Sequence, residues 1–233
     1  MKIVSGDFLK YGYAVVETFT GREQMKVLRD KFLSRYFSRF QSDPIRNRNI
    51  IKLFAEDIEV KRFFCMPYFD QIMNSYLFML EPVQTGPIVT HYTANDFTGG
   101  NYGLPYHQDW PSMGTSTKGV IVWTSITESK SDSPGLSILP GSHLNGLQPG
   151  EQTTKGYVLD KQDFKSALDI EVNSGEILLM SPFLVHKTRM ATEDGKWKLS
   201  LSCRFDDLSC PIWNKRNFVS AYRTIVDRDT YKT

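Results

Sequence analysis

Four histidines stand in this sequence, at positions 91, 107, 143 and 186. His107 belongs to Tyr106-His-Gln-Asp-Trp110, which runs into a Pro-Ser-Met-Gly turn. In extended chain His107 and Asp109 project to the same side, because side chains alternate with a period of two. An imidazole nitrogen and a carboxylate oxygen so placed can hold one metal ion. A second His brought from elsewhere would complete a two-His, one-carboxylate facial triad, which leaves coordination positions open for other ligands. His186 is the candidate, 79 residues downstream in Pro182-Phe-Leu-Val-His-Lys-Thr188. It follows Gly175-Glu-Ile-Leu-Leu-Met180, a strand that enters a turn and would deliver His186 at a sheet rim. A His-x-Asp pair arises readily by chance in a chain with 26 acidic residues. The plain alternative for His107 is a hydrogen-bonded His beside a turn. His143, in Leu139-Pro-Gly-Ser-His143, reads as a turn anchor, and His91, in Val89-Thr-His-Tyr-Thr93, as a core or pocket-wall histidine.

Such residues need a scaffold, and the texture of the chain changes once. Residues 1–80 read mainly as helices and 81–210 mainly as strands, with a C-terminal segment at 211–233. Tyr13–Phe19 is a short β-branched strand before a helix whose stripe is Met25, Leu28, Phe32, Leu33, Tyr36 and Phe37. Asp43-Pro44 breaks it, and further helices are expected at Ile58–Phe64 and Pro67–Tyr76. Strands are expected at Tyr76–Val83, Pro87–Tyr92, Gly119–Ile126, Leu136–Leu139, Gly156–Leu159, Glu176–Met180 and Trp197–Phe205. Many short strands with turn punctuation argue for an antiparallel sandwich or jelly roll, with the early helices packed on one outer face. Lys198, Ser200, Ser202 and Arg204 share one face of the last strand, opposite Leu199, Leu201, Cys203 and Phe205. Alternation alone favours water for the polar face; the sharper reading places it inside a barrel.

Composition excludes several classes. The chain has 233 residues, 40% hydrophobic and 23% charged, so one large domain spanning 1–233 is expected. Twenty-eight basic against 26 acidic residues give only +2, too little for a field that tracks nucleic-acid phosphates. No apolar run approaches the ~20 residues of a membrane-spanning helix. Met1–Lys10 lacks the apolar core of a secretion signal, so a cytoplasmic protein is expected. Three cysteines are too few for a disulfide framework, leaving metal chemistry to His and carboxylates.

The combination of Tyr106-His-Gln-Asp109, Trp123, Pro134-Gly-Leu-Ser-Ile-Leu-Pro-Gly-Ser-His143, Gly175-Glu176, His186 and Lys198-Leu-Ser-Leu-Ser-Cys-Arg204 resembles the phytanoyl-CoA dioxygenase family. Gly12-Tyr-Ala-Val-Val-Glu-Thr-Phe19 is similar to that family's opening, so the resemblance spans most of residues 5–206. It implies a double-stranded β-helix (jelly roll, cupin-like), mainly β with N-terminal helices packed on one face. It implies iron(II) held by His107, Asp109 and His186, with 2-oxoglutarate and O2 as cosubstrates. The family usually holds the 2-oxoglutarate carboxylate with an Arg about a dozen residues after the second His. Here position 198, twelve after His186, is Lys, a point charge without the guanidinium fork. Arg204 is then either the replacement or a substrate contact. Thr188 matches a position whose hydroxyl helps hold that carboxylate, and Tyr92 and Asn101 fall where relatives place cosubstrate-facing residues. The resemblance also turns the Lys198-to-Arg204 face inward and makes Trp123 and His91 pocket walls. Gly99-Gly-Asn-Tyr-Gly103 is expected to be a loop at the site's mouth.

The implied activity is hydroxylation of a C–H bond of a small or carrier-linked metabolite, with release of succinate and CO2. No nucleic-acid or membrane partner is implied. Two other classes fit the same residues: a β-helix protein binding a metal or sugar without redox turnover, and a cupin-type isomerase.

Overall fold

The alternation along the last strand decides the architecture. Leu199, Leu201, Cys203 and Phe205 face one way and are buried against helices; Lys198, Ser200, Ser202 and Arg204 face the other way and are buried too. The strand therefore lies between a helical layer and a second, polar interior. The computed structural model describes residues 2–17, 21–95, 103–113, 116–128, 132–153, 156–160 and 164–219.

The strands are β1 (Lys2–Asp7), β2 (Tyr13–Glu17), β3 (Pro82–Ala94), β4 (Val120–Ser125), β5 (Gly135–Ile138) and β6 (Gly150–Thr153). They continue as β7 (Gly156–Leu159), β8 (Leu168–Ile170), β9 (Glu176–Met180), β10 (His186–Arg189) and β11 (Trp197–Asp207). Six make one antiparallel sheet in the order β1-β2-β9-β4-β11-β3. A smaller sheet, β10-β5-β8, packs its apolar side chains onto the larger one: Ile138 and Ile170 share a core with Ile121, Trp123, Leu178 and Met180. The ribbon β6-β7 joins through His107, which bridges to Val158 of β7 and to His186 of β10. This is the expected jelly roll, mainly β.

Helices at Gly21–Lys31, Pro44–Ala55, Ile58–Phe64 and Pro67–Gln71 cover the outer face of the large sheet. Their starts are written in the sequence. Asp43 accepts hydrogen bonds from the amides of Ile45 (2.9 Å) and Arg46 (3.2 Å), and Asp57 accepts from Glu59 (3.0 Å). Each satisfies helix-start amides that have no partner within the helix. Met25, Leu28, Phe32 and Phe54 then meet Val120, Val122, Ile177, Leu179 and Leu201. Phe32 and Phe54 pack edge-on at 5.1 Å, a geometry favoured by the ring quadrupole.

One expected strand is absent. Tyr76–Val83 does not extend; the chain is helical to Tyr76 and β3 begins only at Pro82. Leu77 and Met79 donate back to the carbonyls of Ile72 and Met73, and Phe78 turns the chain with φ +54°. The amides of Leu80 and Glu81 go to the Asp207 carboxylate (3.1 and 3.0 Å) rather than to a neighbouring strand. The apolar run at 76–80 carries no period that separates a helix end from a strand. Pro87–Tyr92, by contrast, is part of one longer strand with an irregular register near Gly86, which has φ +71°.

Candidate metal centre

His107 and His186 are set opposite each other by their own backbones. The amide of His107 donates to the His186 carbonyl (2.9 Å), and that of His186 to the His107 carbonyl (3.1 Å). Two residues that exchange both bonds in an antiparallel pair carry their side chains on one face. The rings lie 4.1 Å apart, centroid to centroid. His107 Nδ1 lies 2.8 Å from the Pro105 carbonyl and His186 Nδ1 2.9 Å from the Leu184 carbonyl. A carbonyl only accepts, so each Nδ1 carries the proton and each Nε2 is turned to the site. Fixing the ring through its far nitrogen is how proteins orient metal-binding imidazoles.

Asp109 completes the group. Its Oδ1 is 3.3 Å from His107 Nε2 and 4.0 Å from His186 Nε2. The three ligand atoms lie within 4.8 Å of one another. The Asp109 carbonyl accepts the amides of Ser112 and Met113, which begins the short helix Trp110–Met113 and fixes the backbone behind the carboxylate.

Burial raises the pKa of Asp109, but the His107 hydrogen bond and the His186 and Arg204 charges outweigh it and hold the carboxyl well below the usual range. Burial likewise disfavours charge on His107, yet the Asp109 contact wins and raises it. Burial, then the neighbouring His107 charge, lowers His186 to about 4. The site thus holds one ionised carboxylate and one bare Nε2 on His186, while the Asp109 contact favours charge on His107. A divalent cation fits this donor set: it would meet two imidazole nitrogens and one carboxylate oxygen.

The triad opens into a cavity of about 220 Å³ between the two sheets. Lys198, Ser200, Ser202 and Arg204 of β11 line it, so the polar face lies inside. Arg204 donates from Nη1 to Ser202 Oγ (2.8 Å) and from Nη2 to Asp109 Oδ2 (3.3 Å). His91 Nε2 lies 2.9 Å from the same serine oxygen. Burial, then the Arg204 charge, lowers His91 to about 4, so it is neutral at pH 7. Lys198 is 3% exposed, and its ammonium lies 5.5 Å from the Trp123 ring centre, within reach of a cation–π contact. Burial, then the Arg189 charge, lowers Lys198 to about 8. Thr188 Oγ1 accepts the Leu104 amide (3.0 Å), which leaves its own proton to donate.

Trp123, His91, Thr188, Lys198 and Arg204 therefore meet the triad in one cavity. Tyr92 does not. Alternation turns it to the outer face, where it packs on Phe32 (6.2 Å), Phe40 (5.8 Å) and Trp197 (5.5 Å) in the core under the helices. Its neighbours His91 and Thr93 take the inward positions. Asn101, with most of the Gly99–Gly103 stretch, lies outside the described residues. His143 sits at a turn with Nε2 3.1 Å from the Leu9 carbonyl, away from the triad.

Two buried residues carried no sequence signal. Gln108, between the ligands, points away from them. It donates to the carbonyls of Gly146 (2.9 Å) and Phe183 (2.6 Å) and accepts the Gln148 amide (2.9 Å). It thereby ties the His107 segment to the loops after β5 and β9. Asp206 accepts the Ser116 amide (2.9 Å) and its hydroxyl, and the Ser116 carbonyl accepts from Trp110 Nε1 (3.3 Å). A Gln between two candidate ligands and an Asp near the end of β11 look like surface residues until their partners are seen.

The family model for phytanoyl-CoA dioxygenase (PhyH) matches residues 8–196. No curated protein matches the chain. Among solved structures, EvdO2 from Micromonospora carbonacea var. aurantiaca is 19% identical, with TM-score 0.65 over 89% of this chain and 94% of that one. The epimerase SnoN, solved with Fe3+, alpha ketoglutarate and nogalamycin RO, is 13% identical, with TM-score 0.62 over 86% of this chain and 80% of that one. EctD from S. alaskensis with bound Fe is 12% identical, with TM-score 0.62 over 86% of this chain and 74% of that one. At such identities the likeness is one of fold.

Proposed function

This chain belongs to the phytanoyl-CoA dioxygenase family, and on that premise we propose that it hydroxylates a C–H bond of a small or carrier-linked metabolite. As a member it is an enzyme of the iron(II)- and 2-oxoglutarate-dependent class. The observation that carries the reading is the convergence of His107 Nε2, Asp109 Oδ1 and His186 Nε2 in a cavity that Lys198 and Arg204 also line.

His107, Asp109 and His186 would hold the iron, and a three-residue ligand set would leave room for 2-oxoglutarate and O2. Bound iron(II) supplies the redox chemistry, coupling decarboxylation of 2-oxoglutarate to succinate and CO2 with oxidation of the substrate. Lys198 holds the distal carboxylate of the cosubstrate, and Thr188 donates its hydroxyl proton to the same group. Lys198 suits this role better than Arg204, whose guanidinium is engaged with Ser202 and Asp109. Trp123 and His91 wall the site and keep water from the reacting centre. Asp109 favours hydroxylation over halogenation, because its carboxylate would bind the metal where a halide would otherwise have to bind.

The cavity supports a carrier-linked substrate or one large enough to stay partly outside. Its volume of about 220 Å³ falls below the ~300–1,000 Å³ of pockets that enclose a whole drug-sized ligand. The reacting end enters and the remainder stays at the mouth. Solved structures of the same fold include an epimerase, SnoN, and a carbocyclase, SnoK, so product analysis must accompany turnover. The test is succinate formation from 2-oxoglutarate with iron(II) and ascorbate, with candidate substrates. Iron-dependent succinate and an oxygenated product are expected. Metal binding without any turnover would instead favour a non-redox binding protein.

A further inference from the structure

Arg204 does not face the open cavity as a spare cation; it is built onto a metal ligand. We infer that Arg204 is a positioning residue that sets the coordination mode of Asp109, and that Ser202 and His91 hold it in place. This inference rests on the metal reading of the triad.

The geometry separates the two oxygens of Asp109. Oδ1 faces both imidazole Nε2 atoms, at 3.3 and 4.0 Å, while Oδ2 accepts from Arg204 Nη2 at 3.3 Å. A carboxylate with both oxygens free can bind a metal through one or both. Here one oxygen is taken by a guanidinium, so the metal receives the other alone. The difference decides the chemistry, because a bidentate carboxylate would take one of the three positions needed by 2-oxoglutarate and O2. Arg204 thus protects an open coordination position.

The guanidinium is itself held. Ser202 Oγ accepts from Nη1 at 2.8 Å, and His91 Nε2 lies 2.9 Å from that oxygen. His91 is neutral, and the Ser202 hydroxyl, with one proton and two lone pairs, can meet His91 Nε2 in either imidazole tautomer while accepting from Arg204. The chain His91–Ser202–Arg204–Asp109 runs from β3 across β11 to the metal ligand. Arg204 is 4% exposed, which leaves it little freedom to swing away. Planarity matters here. A guanidinium can reach Ser202 and Asp109 from two different nitrogens at once, whereas a lysine ammonium is a single point.

The test uses cobalt(II) as the probe and reads its affinity and its visible d–d spectrum, neither of which needs turnover. A merely electrostatic Arg204 and a positioning Arg204 predict opposite signs. Removing a positive charge beside a dication strengthens binding by Coulomb's law, and Arg204→Lys would then match the wild type. Loss of a residue that orients a ligand weakens metal binding, by about 10–100-fold in comparable sites. We expect Arg204→Met to bind cobalt(II) at least about tenfold more weakly with an altered spectrum, and Arg204→Lys to weaken it also. Equal or tighter binding with an unchanged spectrum overturns the inference. Should Arg204→Met fail to fold, Ser202→Ala decides. It is expected to weaken cobalt binding and shift the spectrum in the same direction, and wild-type behaviour overturns the inference. A wild-type protein that binds no cobalt removes the metal reading and this inference together. Normal wild-type binding with wild-type-like variants removes this inference alone.

Discussion

Lys198 pits stability against function, and the conflict can be measured. Burial lowers its pKa from 10.5 to about 8. At about 1.4 kcal/mol per pH unit, keeping this amine protonated at neutral pH costs the fold about 3 kcal/mol. The Trp123 face, 5.5 Å from the ammonium, returns about 0.5–2 kcal/mol. Lys198→Met removes both terms, conserves length and stays apolar. It should stabilise the cosubstrate-free protein by about 2 kcal/mol, or roughly 4–8 °C in Tm for a chain of this size. The pH dependence fixes the cause. A base whose folded pKa lies below its unfolded one carries its penalty in full below about pH 8. The penalty fades as pH rises toward 10.5. The advantage of the variant should therefore be largest at pH 7 and narrow between pH 8 and 10.5. Chemical unfolding of both proteins at pH 7 and pH 9.5, without metal or cosubstrate, reads this directly. With iron(II) already present under nitrogen, adding 2-oxoglutarate should stabilise the wild type further and move Lys198→Met much less. A variant less stable than the wild type at pH 7, or an advantage that does not change with pH, refutes the reasoning.

Other positions give sharper tests of the scaffold. Gln108→Leu keeps the volume but strands two carbonyls and one amide in the interior; a loss of about 2–4 kcal/mol in denaturant unfolding is expected, with weaker metal binding. Gly175→Ala should largely abolish folded protein, measured as soluble yield and melting cooperativity. Its φ is +90°, and a Cβ there would lie 2.5 Å from the Arg22 amide nitrogen. Gly195→Ala is the control: its φ is +76° with nothing within 4 Å, so only the backbone term of about 1–2 kcal/mol applies.

The contrast between Gln108 and His107 shows what a sequence makes legible. His107, Asp109 and His186 are visible because few residue types bind metals and their spacing on strands has a fixed meaning. The row Lys198–Ser200–Ser202–Arg204 was legible as one face, yet alternation says only that residues share a side. Whether that side meets water depends on the second sheet, built from β5, β8 and β10, which the pattern of the strand itself does not reveal. Tyr92 fails for the related reason that position near a motif is not orientation. Its neighbour His91 takes the inward place, and Tyr92 joins the aromatic core with Trp197. The strand expected at Tyr76–Val83 was lost to a buried carboxylate, Asp207, which captures two amides from 126 and 127 residues away. Such long-range polar capture leaves no local trace. Arg204 shows the same limit: residue type and face were readable, but its partner was not.

The central claim is that His107, Asp109 and His186 hold one iron(II) on which 2-oxoglutarate chelates, with Lys198 at its distal end. Anaerobic titration of iron(II) into the protein with 2-oxoglutarate, followed by visible absorbance, tests it most directly. The account predicts a charge-transfer band that saturates at one iron per chain, disappears in Asp109→Ala, and requires far more 2-oxoglutarate in Lys198→Met. No band in the wild type, or an undiminished band in Asp109→Ala, would contradict it.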